Sequence, residues 1–396
     1  MTYTQLLKSY PVFRRFWTMF LLMDFGAWFS VVAIYTLLTD FGASPFIIAL
    51  VAALHWLPGA LQAPVTGVVI DRVNVKKLMV VLVTIELVAT LLFLTVREAA
   101  LIGLLMALIL VRMSAASFFF TAFQASLPRI VGRETALRRA NELTSLTWSL
   151  TFILGMALGG VAVELWGTDV AFVLDSAVIA AALLLLLRID LPKKAELAVA
   201  KASELLKEGF DYLKTHRKIV GYILLHATVG LTSFDALVTL LAQYNYAPEI
   251  SIPIAIGAVN AMRAAGLFIG PFFFRRFQDE AKLIFWLLIG QGAAIFLWAG
   301  LQHDFYLSMI GLLATGFFTT SLWSATYSLI LRHTDEAVLG RVVAYNDMTF
   351  LLFNAFTALL IGVMAGAGIE LWVITAVLGG FFWVAAGLYK TRLAKG

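Results

Sequence analysis

Twelve runs of apolar residues dominate this chain and leave little freedom over what it folds into. They fall at about 16–38, 46–70, 78–96, 99–122, 143–165, 170–188, 219–243, 252–274, 283–301, 304–330, 342–365 and 370–389. Each is long enough to cross a hydrocarbon layer of roughly 30 Å at about 1.5 Å per helical residue. In hydrocarbon every backbone N–H and C=O must be paired inside the segment, so such runs fold as helices. Composition agrees, with 61% hydrophobic and 13% charged residues, against about 45–50% and about 25% in soluble chains. The expected class is an all-α membrane protein of twelve transmembrane helices, with the lipid bilayer as its first partner.

Charge then sets orientation. Of the 29 Lys and Arg, Arg97 alone falls in a loop of the opposite face, and Arg112 and Arg263 fall inside runs. All the others gather on the side that holds both termini. Cations are retained in the cytoplasm during insertion, which predicts cytoplasmic termini and an even number of crossings. The net charge of +5 therefore belongs to loops at a membrane surface, and no nucleic acid partner is expected. Lys8, Arg14 and Arg15 lead straight into a full-length run, which reads as a retained first helix and not a cleaved signal. The other loops are slightly acidic, with Asp40, Glu98, Asp169, Glu249, Asp304 and Glu370. Trp166, Tyr244, Tyr246 and Trp372 near them suit an interfacial aromatic belt, or equally buried packing.

Residues 189–218 break the pattern. They are polar and carry Glu196, Lys201, Glu204, Lys207, Glu208, Asp211 and Lys214. Leu205, Leu206, Phe210 and Leu213 recur at helical spacing, which predicts an amphipathic helix near the membrane surface. This linker divides a bundle of residues 1–188 from one of residues 219–396. A constant shift of 203 residues superposes Gly67 and Arg72 on Gly270 and Arg275, Arg129 on Arg332, Arg138 on Arg341 and Gly159 on Gly362. That offset predicts two six-helix halves in parallel orientation.

Between the second and third runs stands Gly67-Val68-Val69-Ile70-Asp71-Arg72-Val73-Asn74-Val75-Lys76-Lys77. A carboxylate followed by cations cannot sit in hydrocarbon, so this is a short cytoplasmic loop. It resembles the Gly-x-x-x-Asp-Arg-x-Gly-Arg-Lys loop of the major facilitator superfamily, matching at Gly67, Asp71, Arg72, Lys76 and Lys77. Asn74 stands where that family has Gly, and tolerance of a left-handed turn is the expected reason. Arg112 in the fourth run resembles an Arg that many proton-coupled facilitators keep. Ile153 to Gly160 is similar to a Gly-Pro-x-x-Gly-Gly stretch of drug/proton antiporters, with Met156 in place of Pro. Leu127-Pro128-Arg129, Arg139-Ala140-Asn141 and the segment from Arg332 to Arg341 resemble loops of the macrolide and enterobactin exporters. The resemblance implies a monomeric secondary exporter of an amphipathic organic compound in a bacterial inner membrane, driven by proton antiport. It also implies that Asp71 meets the start of the eleventh helix, near Gly340 and Arg341, when the inner side is closed. Gly67, Asp71, Arg72, Lys76, Arg341 and Asp347 form the expected conformational gate. A flippase for lysophospholipids, a metabolite uniporter and a non-transporting sensor of the same fold remain alternatives.

Ionisable groups inside spans cost about 2.5–3.5 kcal/mol on insertion scales, which makes each a functional candidate. Asp24 lies roughly 13 Å past Arg15, close to the midplane, and Arg112 at similar depth. Asp24 is the expected proton carrier, with a permanent Asp24–Arg112 pair as the alternative and Glu86 as a second partner for Arg112. Asp175 is expected nearer the outer end, facing water. His226, Asp235 and Arg263 form the corresponding group of the second half, and His55 is a weaker candidate. Trp28, Phe119, Phe123, Trp323 and Tyr327, with Phe118 and Phe120, are the expected cavity aromatics. An aromatic, weakly polar cavity suits bulky amphipathic cargo. The five scattered His, the absence of Cys and the absence of a Gly-x-x-x-x-Gly-Lys run point away from an enzyme, a metal site or a bound cofactor.

Overall fold

The computed structural model describes residues 1–132, 134–191, 202–274, 276–277 and 279–393. Glu196, Lys201 and Arg275 lie outside the described residues, as do the side chains of Asp71, Glu204, Leu205 and Leu206. The chain is helical almost throughout. The helices are α1 (Tyr3–Ser9), α2 (Pro11–Asp40), α3 (Pro45–Arg72), α4 (Val75–Phe93), α5 (Ile102–Val131), α6 (Glu134–Leu187) and α7 (Ala202–Thr215). There follow α8 (Arg217–Ala227), α9 (Asp235–Leu241), α10 (Ile252–Phe274), α11 (Glu280–Leu301), α12 (Phe305–His333), α13 (Leu339–Gly366) and α14 (Leu371–Leu388).

Among the described residues, ten segments are long and apolar enough to cross a membrane. One of them, α6, holds the fifth and sixth expected crossings in a single run of 54 residues. Gly167 divides it at φ 82, a left-handed value that glycine adopts without steric cost. The third expected crossing is α4, whose 19 residues carry Lys76 and Lys77 in the first turn. The architecture is thus the twelve-helix all-α membrane fold that the apolar runs predict.

Local chemistry explains two boundaries. Asn74 is extended, at φ −68, and its side chain accepts from Lys77 N at 3.0 Å. It is the N-cap of α4, so the expected left-handed turn is absent and capping is why an Asx side chain serves there. The seventh crossing departs further from the continuous helix expected at 219–243. It runs as α8, a 3₁₀ turn at Thr228–Thr232, α9 and a π turn at Ala242–Tyr246. A Cβ on Gly230 would meet Asn354 N at 2.9 Å and Phe353 Cβ at 3.0 Å, so α13 presses against the break. Irregular backbone at membrane depth persists only where protein or a cavity satisfies its polar groups. Here Arg263 donates through Nη2 to the Thr232 carbonyl.

Packing then determines where the molecule is closed. One cluster of buried apolar residues joins Phe29–Ala53, Phe93–Ile109 and Phe152–Phe172 to residues from 213 to 389. The other, from Leu6, Phe13 and Phe16 through Phe123 to Ile189, is built from the first six crossings alone. The two sets of helices are therefore welded at the end far from the termini. Close approach there depends on glycine: a Cβ on Gly160 of α6 would meet Pro253 O of α10 at 2.7 Å. At the other weld, a Cβ on Gly362 of α13 would meet Pro45 O of α3 at 3.1 Å. At the termini end the amphipathic helix α7 bridges instead. Its Gly209 lies against Arg341 and Tyr345 of α13, Leu213 is buried, and Tyr212 Oη accepts from Asp335 N at 3.3 Å. Of the aromatic belt residues, Trp166, Tyr244 and Trp372 are exposed. Tyr246 is not a belt residue: it is buried, and its hydroxyl is 2.6 Å from Ser308 Oγ and 3.0 Å from Gln302 O.

Candidate functional site

The alternative pairing of Asp24 with Arg112 does not form. Arg112 donates through Nη2 to Asp175 Oδ2 at 2.7 Å and through Nη1 to Ser30 Oγ at 2.9 Å. Its guanidinium carbon sits 5.7 Å from the Phe93 ring centroid. Arg112 and Asp175 are 2% and 0% exposed at the side chain, so Asp175 is a buried partner and not a residue facing water. Two small residues one turn apart on α2 make this possible. Gly26 leaves the space that the Asp175 carboxylate fills, and Ser30 supplies the second acceptor. Glu86 is buried nearby, with Oε1 making no hydrogen bond among the described residues. It lies within electrostatic range of both Arg112 and Asp175.

Asp24 occupies a separate place on the same helix. Thr151 Oγ1 of α6 is hydrogen-bonded to Asp24 Oδ2, and it also lies 2.8 Å from Thr147 O and 3.0 Å from Trp148 O. A hydroxyl has one proton and two lone pairs. Thr151 can thus donate to an ionised Asp24, or donate to its own helix while accepting from a protonated one. One turn along α2, Trp28 stacks on Phe152 at 4.0 Å and meets Trp148 edge-on at 5.8 Å. Small residues of the Ile153–Gly160 stretch serve this junction: a Cβ on Gly155 would meet Trp28 Cβ at 2.7 Å.

The second half divides likewise. Arg263 Nη1 faces Asp235 Oδ1 at 3.8 Å, next to its bond to the Thr232 carbonyl. Asp235 is the first residue of α9, where the helix dipole favours a carboxylate. Its charge also reaches Tyr35 and His55, which are stacked 6.1 Å apart in the first half. His226 stands apart from this pair. Its Nδ1 is 2.9 Å from Thr326 Oγ1, which also lies 2.7 Å from Leu322 O. Rings of Trp323, Tyr327 and Phe350 surround it at 5.3–5.4 Å. Trp323 and Tyr327 are stacked at 5.0 Å with 9° between their planes, and Trp323 is 37% exposed. Asp347, expected at the gate, accepts from Asn346 Nδ2 at 3.2 Å and acts electrostatically on Tyr327. Phe119 and Phe123 are corrected. Both are buried, and Phe123 stacks between Phe16 and Phe20 at 4.7 and 4.5 Å in the α2–α5 core.

At the termini end, Lys76 Nζ donates to Leu187 O at 3.1 Å and lies 3.8 Å from Asp190. Arg72 and Gly67 end α3, and a Cβ on Gly67 would meet open space. Arg341 donates to Glu208 of α7 at 3.0 Å and to Ala337 O at 2.7 Å; its expected partner Asp71 has its side chain outside the described residues. Among the described residues no group of His, Asp and Glu is arranged to hold a metal ion.

Two helix sets joined at one end, each holding buried ionisable groups, have the architecture of a membrane transporter. The sequence matches the family described as Major Facilitator Superfamily over residues 16–289, and the chain belongs to that superfamily. No curated protein matches it. Among solved structures it is similar to the nucleoside transporter NupG at 15% identity, covering 97% of this chain and 99% of that one, with a TM-score of 0.72. A mutant form of NupG gives 13% identity, 96% and 99% coverage and a TM-score of 0.73. The E. coli fucose:proton symporter FucP gives 14% identity, 95% and 98% coverage and a TM-score of 0.63. At such identities the likeness is one of fold. It supports the superfamily and does not single out the exporter branch that the loop motifs resemble.

Proposed function

We propose that the protein is a proton-coupled secondary transporter that moves an amphipathic organic compound by alternating access, with Asp24 as the proton carrier. The observation that carries this reading is the Thr151–Asp24 contact, because Thr151 can serve either protonation state of the carboxylate by turning its own hydroxyl. Both interior arginines already hold other carboxylates, so Asp24 is left to exchange its proton with solvent or cargo. Residues 1–188 and 219–396 are the two bodies that rock, and residues 189–218 tether them. Lys and Arg concentrated beside the termini support cytoplasmic ends in a bacterial inner membrane, with the weld toward the outside and the cavity open inward. Gly67, Asp71, Arg72, Lys76 and Arg341 act as the gate that closes in the opposite state. Because both cavity walls come from one chain, the monomer is the working unit. Export by antiport is the direction we propose, on the strength of the motifs from Leu127 to Gly160 and from Arg332 to Arg341. FucP is a proton symporter and NupG carries nucleosides; their likeness to this chain concerns architecture and leaves direction to experiment.

The test uses proteoliposomes with a trapped pH dye and a panel of neutral, anionic and cationic amphipathic compounds. At least one compound should drive proton movement through the native protein, and none through Asp24→Asn. Proton movement undiminished in Asp24→Asn removes that residue from coupling, and silence across the panel removes proton coupling itself.

A further inference from the structure

The interior charges do not balance locally. Arg112 is held by Asp175 and Arg263 by Asp235, so both cations of the membrane interior are neutralised. Asp24 and Asp347 are half-buried carboxylates with no cation within ion-pair distance among the described residues. They stand one in each half, on α2 and α13. Asp24 lies one turn from Trp28 and Asp347 acts electrostatically on Tyr327, and among the described residues each carboxylate has one side-chain hydrogen-bond donor, Thr151 and Asn346.

Asp24 is the better built of the two. It shares a face of α2 with Trp28, four residues on. Trp28, Trp148 and Phe152 form a closed set, with centroids 4.0, 5.6 and 5.8 Å apart, and Phe152 directly follows the threonine that binds the carboxylate. Trp28 and Trp148 are partly exposed, whereas Phe152 is buried behind them. Trp28 Nε1 is buried without a hydrogen-bond partner among the described residues. In the other half, the Trp323–Tyr327 stack lies within electrostatic reach of Asp347. Aromatic faces are the negative pole of the ring quadrupole, and a cation over them is attracted most strongly where water is excluded. A carboxylate behind such a box adds full charge of the same sign.

From this arrangement we propose that the cargo is an amphipathic organic cation, with its charged centre against Asp24 and its flat apolar body against Trp28 and Trp148. The inference rests on the transporter reading above and narrows its substrate class. An anion of the same shape meets two uncompensated carboxylates and is repelled. A neutral compound keeps the stacking and loses the charge.

Tetraphenylphosphonium and tetraphenylborate share a shape and differ in the sign of charge, so they isolate the claim. Purified full-length protein in nanodiscs is equilibrated with ethidium, followed by anisotropy, and titrated with each. The phosphonium should displace ethidium at a concentration at least tenfold below that of the borate. Asp24→Asn and Trp28→Ala should each weaken ethidium binding tenfold or more, and Asp24→Glu should retain most of it, which separates a charge effect from misfolding. Equal competition by phosphonium and borate overturns the proposal, as does unchanged ethidium affinity in the Asp24→Asn, Asp347→Asn double variant. The two readings fail separately. If phosphonium and ethidium do not bind while an anionic or neutral compound drives proton movement in liposomes, the cation site falls and the transporter stands. If they bind as expected while no compound moves protons, the cation site stands and proton coupling falls.

Discussion

At the scale of residues, the Arg112–Asp175 pair is the clearest case of tertiary context deciding a role. Both groups are buried, so their attraction is offset by the desolvation of two ions, and the pair adds little net stability. Removing one partner is a different matter, because it leaves an uncompensated charge beside Glu86. We expect Arg112→Met to lower unfolding stability by about 3–5 kcal/mol. The Arg112→Met, Asp175→Leu double variant should recover most of that loss, read as the thermal transition of the purified protein. Additive losses in the double variant would contradict a mutually neutralising pair. In the sequence, Arg112 and Asp24 are both legible as costly interior charges, but depth along a helix says nothing about azimuth. The Asp175 partnership leaves only a faint trace there, in Gly26 and Ser30 spaced one turn apart. Phe119 and Phe123 err for the same reason: their place in the chain puts them on the fourth crossing, but not in the buried core where the structure holds them.

At the scale of elements, the seventh crossing shows how a break is tolerated at membrane depth. Thr228 and Thr232 return their hydroxyls to the helix, at 2.6 Å to Leu225 O and 2.8 Å to Val229 O. The Thr232 carbonyl, freed by the break, is taken by Arg263, which is also the counterion of Asp235 at the start of α9. An unsatisfied buried acceptor costs about 1–3 kcal/mol. Arg263→Met should therefore speed amide hydrogen exchange across residues 228–235 several-fold while leaving α11 and α14 unchanged. Uniform exchange across all helices would point to global destabilisation instead. Hydropathy sees this segment as one apolar run, because a break whose polar groups are satisfied by a neighbouring helix carries no compositional signature. The linker helix, by contrast, is legible from its apolar spacing and its alternating Lys and Glu. Its contacts with Arg341 and Tyr345 of α13 are not.

At the scale of the whole molecule, the weld at one end and the single-half core at the other support the proposed opening beside the termini. The chain has no cysteine, so single-cysteine labelling reads this directly. Trp323→Cys should react with a membrane-impermeant maleimide from the termini side. Ala49→Cys, buried under Gly362, should stay unreactive from both sides until the molecule opens at the far end. Labelling of Trp323→Cys from the far side alone would reverse the assigned opening. Contacts such as Arg341–Glu208 are partly exposed and worth about 0–1 kcal/mol, so they bias opening without locking it.

The sequence by itself determined the number of crossings, the linker, the superfamily loop and the shortlist of interior charges. Each of these follows from the transfer cost of a residue between water and hydrocarbon, which is a property of the residue and its near neighbours. Only the tertiary structure decided which acid neutralises Arg112, that Asp24 binds Thr151 and not Arg112, and where the seventh helix unwinds. Those outcomes depend on the rotation of one helix against another, set by glycines such as Gly26, Gly155 and Gly160, whose partners lie 70 to 150 residues away or on another crossing.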